Sequence, residues 1–179
     1  MSLLLVSALL LAVAACSNGG TTDPTSGSDL EAAPDFEFTL YQGEGELGGS
    51  ELSMSDLQGK PVVLNFWAGL CPPCRAEMPD FQAFQDENRD RLTVLGIDVG
   101  QFTNLGSQED AKLLLTDLGV TYPAGYTTDG TIMRRYEVLG MPTTVFINSR
   151  GEVFRNWGGI LDHEKLQEIA DEMLAEETG

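Results

Sequence analysis

An α/β fold, a mixed central sheet flanked by helices, is predicted by three observations in the 179-residue chain. Two near-continuous apolar runs, "PVVLNFW" (61–67) and "LTVLGIDV" (92–99), read as strands buried on both faces, as parallel strands under helices are. Helix-like segments alternate with these runs. The chain then closes with two strand-like segments around the turn "NSRG" and a last amphipathic helix, which adds an antiparallel hairpin to the sheet.

Taken in order, residues 3–15, "LLLVSALLLAVAA", form an uncharged apolar run ending in small residues before Cys16. Thirteen residues make a helix of about 20 Å, too short for a hydrocarbon core of about 30 Å. The run therefore reads as the core of a signal peptide spanning 1–15, although residues 1–15 contain no Lys or Arg. "VAAC" (13–16) resembles the bacterial lipobox, in which cleavage occurs before a lipid-modified cysteine. Cys16 is thus the expected lipidation site; three cysteines are an odd count, and the one left over needs its own role.

Residues 16–33 are rich in Gly, Ser, Thr, Pro and Asp without apolar period, and are expected to form a flexible tether reaching roughly 20–25 Å. The domain is expected over 34–179. The chain's formal charge of −18 argues against binding nucleic acid or being drawn to anionic lipid, so membrane attachment has to come from the anchor.

Within the domain, "FEFTL" (36–40) and "ELSM" (51–54) are expected as short strands around a loop, with "SDLQGK" as a helical turn leading out. After the 61–67 strand a helix is expected from about Cys71 to Arg89. Ser107 with Asp110 three residues on makes a capping box for a helix through "AKLLLTDLG". An extended piece near 122–126 precedes a short helix capped by Asp129, whose Arg134 and Arg135 are expected to be solvated. "TTVFIN" (143–148) and "EVFRNW" (152–157) form the hairpin, with Phe154 and Trp157 in packing roles. The final helix starts at Asp162 and places Leu166, Ile169, Ala170 and Met173 on one face, with His163 an exposed first-turn residue.

The chemistry concentrates in "FWAGLCPPCRAEMP" (66–79). An intrachain zinc site is disfavoured, because it needs four ligands and the chain has no second cysteine pair and a single histidine far away. No metal or other cofactor is expected. A structural staple would close a gap of only two residues and gain little entropy. Spacing and context favour a redox pair, with the staple as the alternative. Pro72 and Pro73 suit the first turn of a helix, which places Cys71 at or beside the N-cap. Free N–H groups and the positive dipole end there favour the thiolate. Cys74, one turn deeper, can resolve a mixed disulfide formed by Cys71.

"VVLNFWAGLCPPCRAEMPDF" together with "GMPTTVFINSRGEV" resembles the membrane-anchored extracytoplasmic thioredoxin-like proteins of the TlpA and ResA type, within the redoxin and AhpC/TSA-like superfamily. The resemblance covers roughly residues 34–175. It implies a thioredoxin fold with an N-terminal strand extension and an inserted segment before a hairpin led by a cis proline. It also implies thiol–disulfide exchange, with a Cys71–Cys74 disulfide in the oxidised form, on the outer side of a bacterial membrane. Exported proteins such as apocytochrome c would be substrates, and a membrane thiol carrier the electron donor. A monomer is expected.

The same resemblance implies roles for single residues. Glu77 matches a glutamate that assists proton transfer at the cysteines, with a partly buried carboxyl and a raised pKa. Pro142 matches the cis proline, which would hold the Met141 backbone ready for an extended substrate. Pro79 matches a proline that kinks the active-site helix. Trp67, Leu70, Pro72, Met141 and Pro142 are the expected substrate contacts. Leu70 stands where the family carries tryptophan, and Asn65 where cytoplasmic thioredoxins carry a buried aspartate.

Two other functions compete. Peroxiredoxin-like peroxidases, which share the fold, usually place Thr or Ser three residues before the reactive cysteine, where this chain has Ala68. Sco-type copper-handling lipoproteins separate their cysteines by three residues and use a distant histidine, a pattern that the two-residue gap and His163 fit poorly.

Overall fold

The structure is a computed structural model, and it describes residues 30–178. Seven strands form one sheet: β1 (Glu37–Gln42), β2 (Glu51–Ser53), β3 (Val62–Trp67), β4 (Thr93–Asp98), β5 (Ala124–Tyr126), β6 (Thr143–Ile147) and β7 (Val153–Gly158). Their order is β2-β1-β5-β4-β3-β6-β7. β3, β4 and β5 pair in parallel and the two outer pairs on each side are antiparallel, giving the expected mixed sheet with its N-terminal extension and closing hairpin.

The helices are α1 (Glu44–Leu47), α2 (Pro72–Asn88), α3 (Gly100–Thr103), α4 (Gln108–Leu118), α5 (Ile132–Arg135) and α6 (His163–Thr178), with a 3-10 turn at Met54–Leu57. The strand parity of β3 separates two cores. Val63 and Trp67 point into a layer with Met78, Phe81 and Phe84 of α2, Leu114 and Leu115 of α4, and Leu166 and Ile169 of α6. Val62, Leu64 and Phe66 point to the opposite face, among Phe36, Phe38, Leu95, Ile97, Ile132 and Val145. Six consecutive buried residues in each of β3 and β4 explain the unbroken apolar runs in the sequence.

Local signals account for several helix ends. Ser107 and Asp110 form the reciprocal capping box of α4, which stops at Gly119 in the left-handed conformation (φ 65°). The expected inward face of α6 is buried at Leu166, Ile169, Ala170 and Met173.

Other expectations are corrected. The N-cap of α5 is Thr131; Asp129 instead accepts hydrogen bonds from the Thr131 backbone N–H at 2.9 Å and from its hydroxyl at 2.6 Å, in the turn before the helix. Arg135 is bound to Asp129 (2.8 Å) and to the Asp35 carbonyl (2.8 Å), which ties this turn to the start of the domain. His163 is half-buried, with Nε2 at 3.1 Å from Glu87 and its ring edge-on to Phe84. α1 and α3 have no counterpart in the expected elements: so short a helix carries little periodicity, and neither Gly43 nor Val99 at their N-caps makes a side-chain capping bond.

Cys16 and the signal segment lie outside the described residues. At the end of the expected tether, Glu31 and Ala33 already exchange backbone hydrogen bonds with Val153 and Gly151. The chain thus enters the domain beside the β6–β7 turn, at the end of the sheet where Val62 pairs with Ile147. Trp67 and the cysteine pair lie at the other end of β3.

Candidate active site

β3 ends at Trp67, and four residues later Cys71 is the N-cap of the 17-residue helix α2. The two prolines at the first helical positions have no N–H to offer. The first donor at the helix mouth is therefore the Cys74 N–H, and it points to the Cys71 sulfur at 3.3 Å. Cys71 and Cys74 are joined by a disulfide, their Cα atoms 5.3 Å apart. Only 3% of Cys71 and none of Cys74 is exposed, so the N-terminal cysteine is the more accessible. In the reduced state, a sulfur at this position meets a free N–H and the positive end of the helix, which favours a nucleophilic thiolate.

The loop leading to Cys71 is clamped by the segment that joins α3 to α4 and by the first turn of α4. Leu70 N–H donates to the Leu105 carbonyl at 2.7 Å. Gly69 lies so close to the start of α4 that a Cβ there would stand 2.5 Å from the Ala111 nitrogen. Gly69→Ala is expected to push the loop off α4 and destabilise the protein by about 1–3 kcal/mol, read as a lower Tm together with a changed alkylation rate of the reduced Cys71.

Glu77 lies one turn beyond Cys74 and is completely buried, deeper than the partial burial expected. Its Oε1 accepts from Asn65 Nδ2 at 2.9 Å and its Oε2 from the Leu161 backbone N–H at 3.1 Å. Burial pushes its pKa from 4.5 up to about 7; the two hydrogen bonds pull against that, and Asp80 adds a small upward push. An acid poised there can hold or release a proton at neutral pH, as thiol–disulfide exchange requires.

β6 brings the remaining candidates to the same end of the sheet, since Thr143 pairs with Phe66. The Met141–Pro142 peptide is cis. Pro142 is buried and Met141 half-buried against the core that holds the cysteines. Among the described residues the Met141 backbone makes no hydrogen bond, so its N–H and C=O remain available to an extended chain. Leu70 (58% exposed) and Pro72 offer apolar surface beside the disulfide.

Trp67 is a correction. It is fully buried and cannot meet a substrate in this conformation. Strand parity turns its indole onto the α2 side of the sheet, over Gly96 of β4, where a Cβ would stand 2.8 Å from Nε1. Thr144 is a site residue that no sequence signal marks: it is buried and directly across from Asn65, a contact that depends on the β3–β6 register.

A redox-active cysteine pair on a helix N-terminus, a buried acid one turn away and a cis-proline loop, set on this seven-stranded sheet, define a thioredoxin-fold thiol–disulfide oxidoreductase. The chain belongs to the AhpC/TSA family, whose model matches residues 30–155. It is 31% identical over 148 residues to the thiol-disulfide oxidoreductase ResA of Oceanobacillus iheyensis, covering 83% of this chain and 74% of that one. It is 28% identical over 129 residues to the sporulation thiol-disulfide oxidoreductase A of Bacillus subtilis, covering 69% and 74%. Among solved structures it resembles the pneumococcal exposed lipoprotein thioredoxin of Streptococcus pneumoniae, with a TM-score of 0.64 at 27% identity over 78% of this chain and 99% of that one.

Proposed function

We propose that this protein is a lipid-anchored, extracytoplasmic reductant of disulfides in exported proteins, with apocytochrome c the kind of substrate it serves and a membrane thiol carrier its electron source. Cys71 is the attacking nucleophile, Cys74 the resolving thiol and Glu77 the acid/base that manages their protons. The Met141 backbone, presented by Pro142, pairs with an extended substrate segment, and Leu70 and Pro72 form the apolar rim. The observation that carries this reading is the Cys71 sulfur at the helix mouth receiving the first free N–H of α2.

The anchor rests on the residue pattern at 13–16 and on similarity to a protein described as an exposed lipoprotein thioredoxin. Residues 1–15 serve as signal peptide and the segment from Cys16 as tether, which ends before the hydrogen-bonded residues Glu31 and Ala33 rather than at residue 33, and the catalytic domain follows. The described chain enters at the end of the sheet away from the disulfide, which suits a domain that presents its reactive end outward from its attachment.

The test uses the reduced full chain and a disulfide-bonded Cys-x-x-Cys-His peptide. Stoichiometric reduction much faster than by an equal concentration of free dithiothreitol is expected. A rate equal to that of the small thiol would refute the proposal, and rapid turnover of hydrogen peroxide instead would favour the peroxidase reading.

A further inference from the structure

Asn65 is fully buried in the middle of β3, on the face that looks toward α2. It spends both amide N–H groups inside the protein, one on Glu77 Oε1 at 2.9 Å and the other on Thr144 Oγ1 at 3.0 Å. Its carbonyl oxygen, equally buried, has no partner. A buried amide that satisfies both donors and leaves its acceptor empty is oriented by its neighbours. The neighbour that fixes it is Glu77: an amide oxygen turned toward a carboxylate would set two acceptors against each other. Asn65 is the only side chain that donates to Glu77 among the described residues; the other donor is the Leu161 backbone.

The two oxygens of Glu77 are therefore not equivalent. Oε1 is engaged by a side chain that the sheet register locks, because Asn65 and Thr144 are direct partners across β3 and β6. Oε2 is engaged by a loop amide before α6. From this asymmetry we infer that Asn65 is a positioning residue for the exchange reaction: it holds Oε1 as a hydrogen-bond acceptor and stabilises the charged carboxylate. The inference rests on the acid/base reading of Glu77 proposed above.

An asparagine suits this task better than an aspartate would. An aspartate in its place would bring a second carboxyl to Oε1, and the two acids would share protons as a coupled pair. With Asn65, Glu77 titrates without a second acid bonded to it. The titratable group that acts on Glu77 from the surrounding elements is Asp80 on α2; the Tyr122 hydroxyl, in the segment before β5, is itself pushed up by burial and by the Glu77 charge. Thr144 from β6 and the Leu161 backbone before α6 are uncharged.

The experiment follows the Glu77 carboxyl by 13C NMR in the oxidised full chain, so it does not depend on any exchange activity. Asn65→Leu is expected to move the Glu77 midpoint up by about one unit, and to move the pH profile of disulfide reduction by the same amount. A merely structural role would leave the midpoint and the pH profile where they are; in a Glu77→Gln background, where the inflection is itself lost, the same substitution is expected to restore none, which assigns the shift to Glu77. Asn65→Asp, close in shape and charge-bearing, is the second variant should the leucine protein fail to fold, and is expected to raise the Glu77 midpoint and add a second, coupled titration. An unmoved Glu77 midpoint in whichever variant folds would overturn the assignment of Asn65. A moved midpoint with no exchange activity in the parent protein would leave Asn65 as the group that sets Glu77 and refute the proposed reaction.

Discussion

Cys71→Ser is expected to reduce disulfide exchange to the uncatalysed rate, and Cys74→Ser to halt the protein one step later, as a covalent mixed disulfide with its substrate. In the proposed mechanism the Cys71 thiolate of the reduced protein attacks one substrate sulfur, breaking the substrate S–S bond and releasing the first substrate thiolate. Cys74 then attacks the Cys71 sulfur, breaking the mixed disulfide and releasing the second thiol. The substrate gains two electrons and the pair is left oxidised, the form in which the two sulfurs are seen bonded. The asymmetry follows from position. Cys71 is the N-cap and the more accessible sulfur; Cys74 is fully buried within the first turn. Mass spectrometry of the two variants after mixing with a disulfide peptide separates the roles. An adduct on Cys74 in Cys71→Ser, with none in Cys74→Ser, would reverse them.

Glu77→Gln is expected to slow exchange by about a hundredfold near neutral pH, the lower end for loss of a positioned acid or base, and to remove any inflection near pH 7 from the rate profile. It should also change how stability depends on pH. Burial makes the folded chain hold the Glu77 proton more tightly than the unfolded chain does. Below about pH 4.5 the carboxyl is protonated in both states and its contribution is complete; as the pH rises through about 7 that contribution is lost, at a cost of about 3 kcal/mol. Glutamine keeps the shape of the neutral acid and cannot ionise. The Tm of the variant relative to the parent should therefore rise as the pH climbs from 4.5 through 7, on top of a pH-independent cost, since the glutamine –NH2 has to face an N–H donor at one of the two oxygen positions. Thermal unfolding across this range checks it, and parallel pH curves for the two proteins would show that Glu77 does not titrate in the buried site. A residue kept at such a cost to stability is what a functional site is expected to contain.

Most of this frame is legible in the sequence. The strands at 62–67 and 93–98 can be read to within a residue or so because both their faces are buried, so that nearly every position is apolar. The α4 cap and the inner face of α6 are legible because local rules act within one turn. The cysteine pair and its place on the helix follow from the prolines beside it. What stays hidden depends on long-range register. The inward turn of Trp67 requires a glycine on the neighbouring strand, and Gly96 gives no sign in sequence that it faces an indole. Asn65, Glu77 and Thr144 meet because β3 pairs with β6 while α2 packs across them, and no local pattern reports such a contact. The buried Asp98, which accepts from Tyr41 of β1 and from the Gly100 backbone, is hidden for the same reason.

The reduction potential of the Cys71–Cys74 pair tests the central claim most directly. The full chain would be equilibrated against graded thiol–disulfide buffers and the reduced fraction read by alkylation and mass. A single two-electron transition near or somewhat below about −200 mV is expected, in the range where thioredoxin-like reductants work. A pair that stays oxidised at every poise down to below about −300 mV would be a structural staple, and would contradict the account.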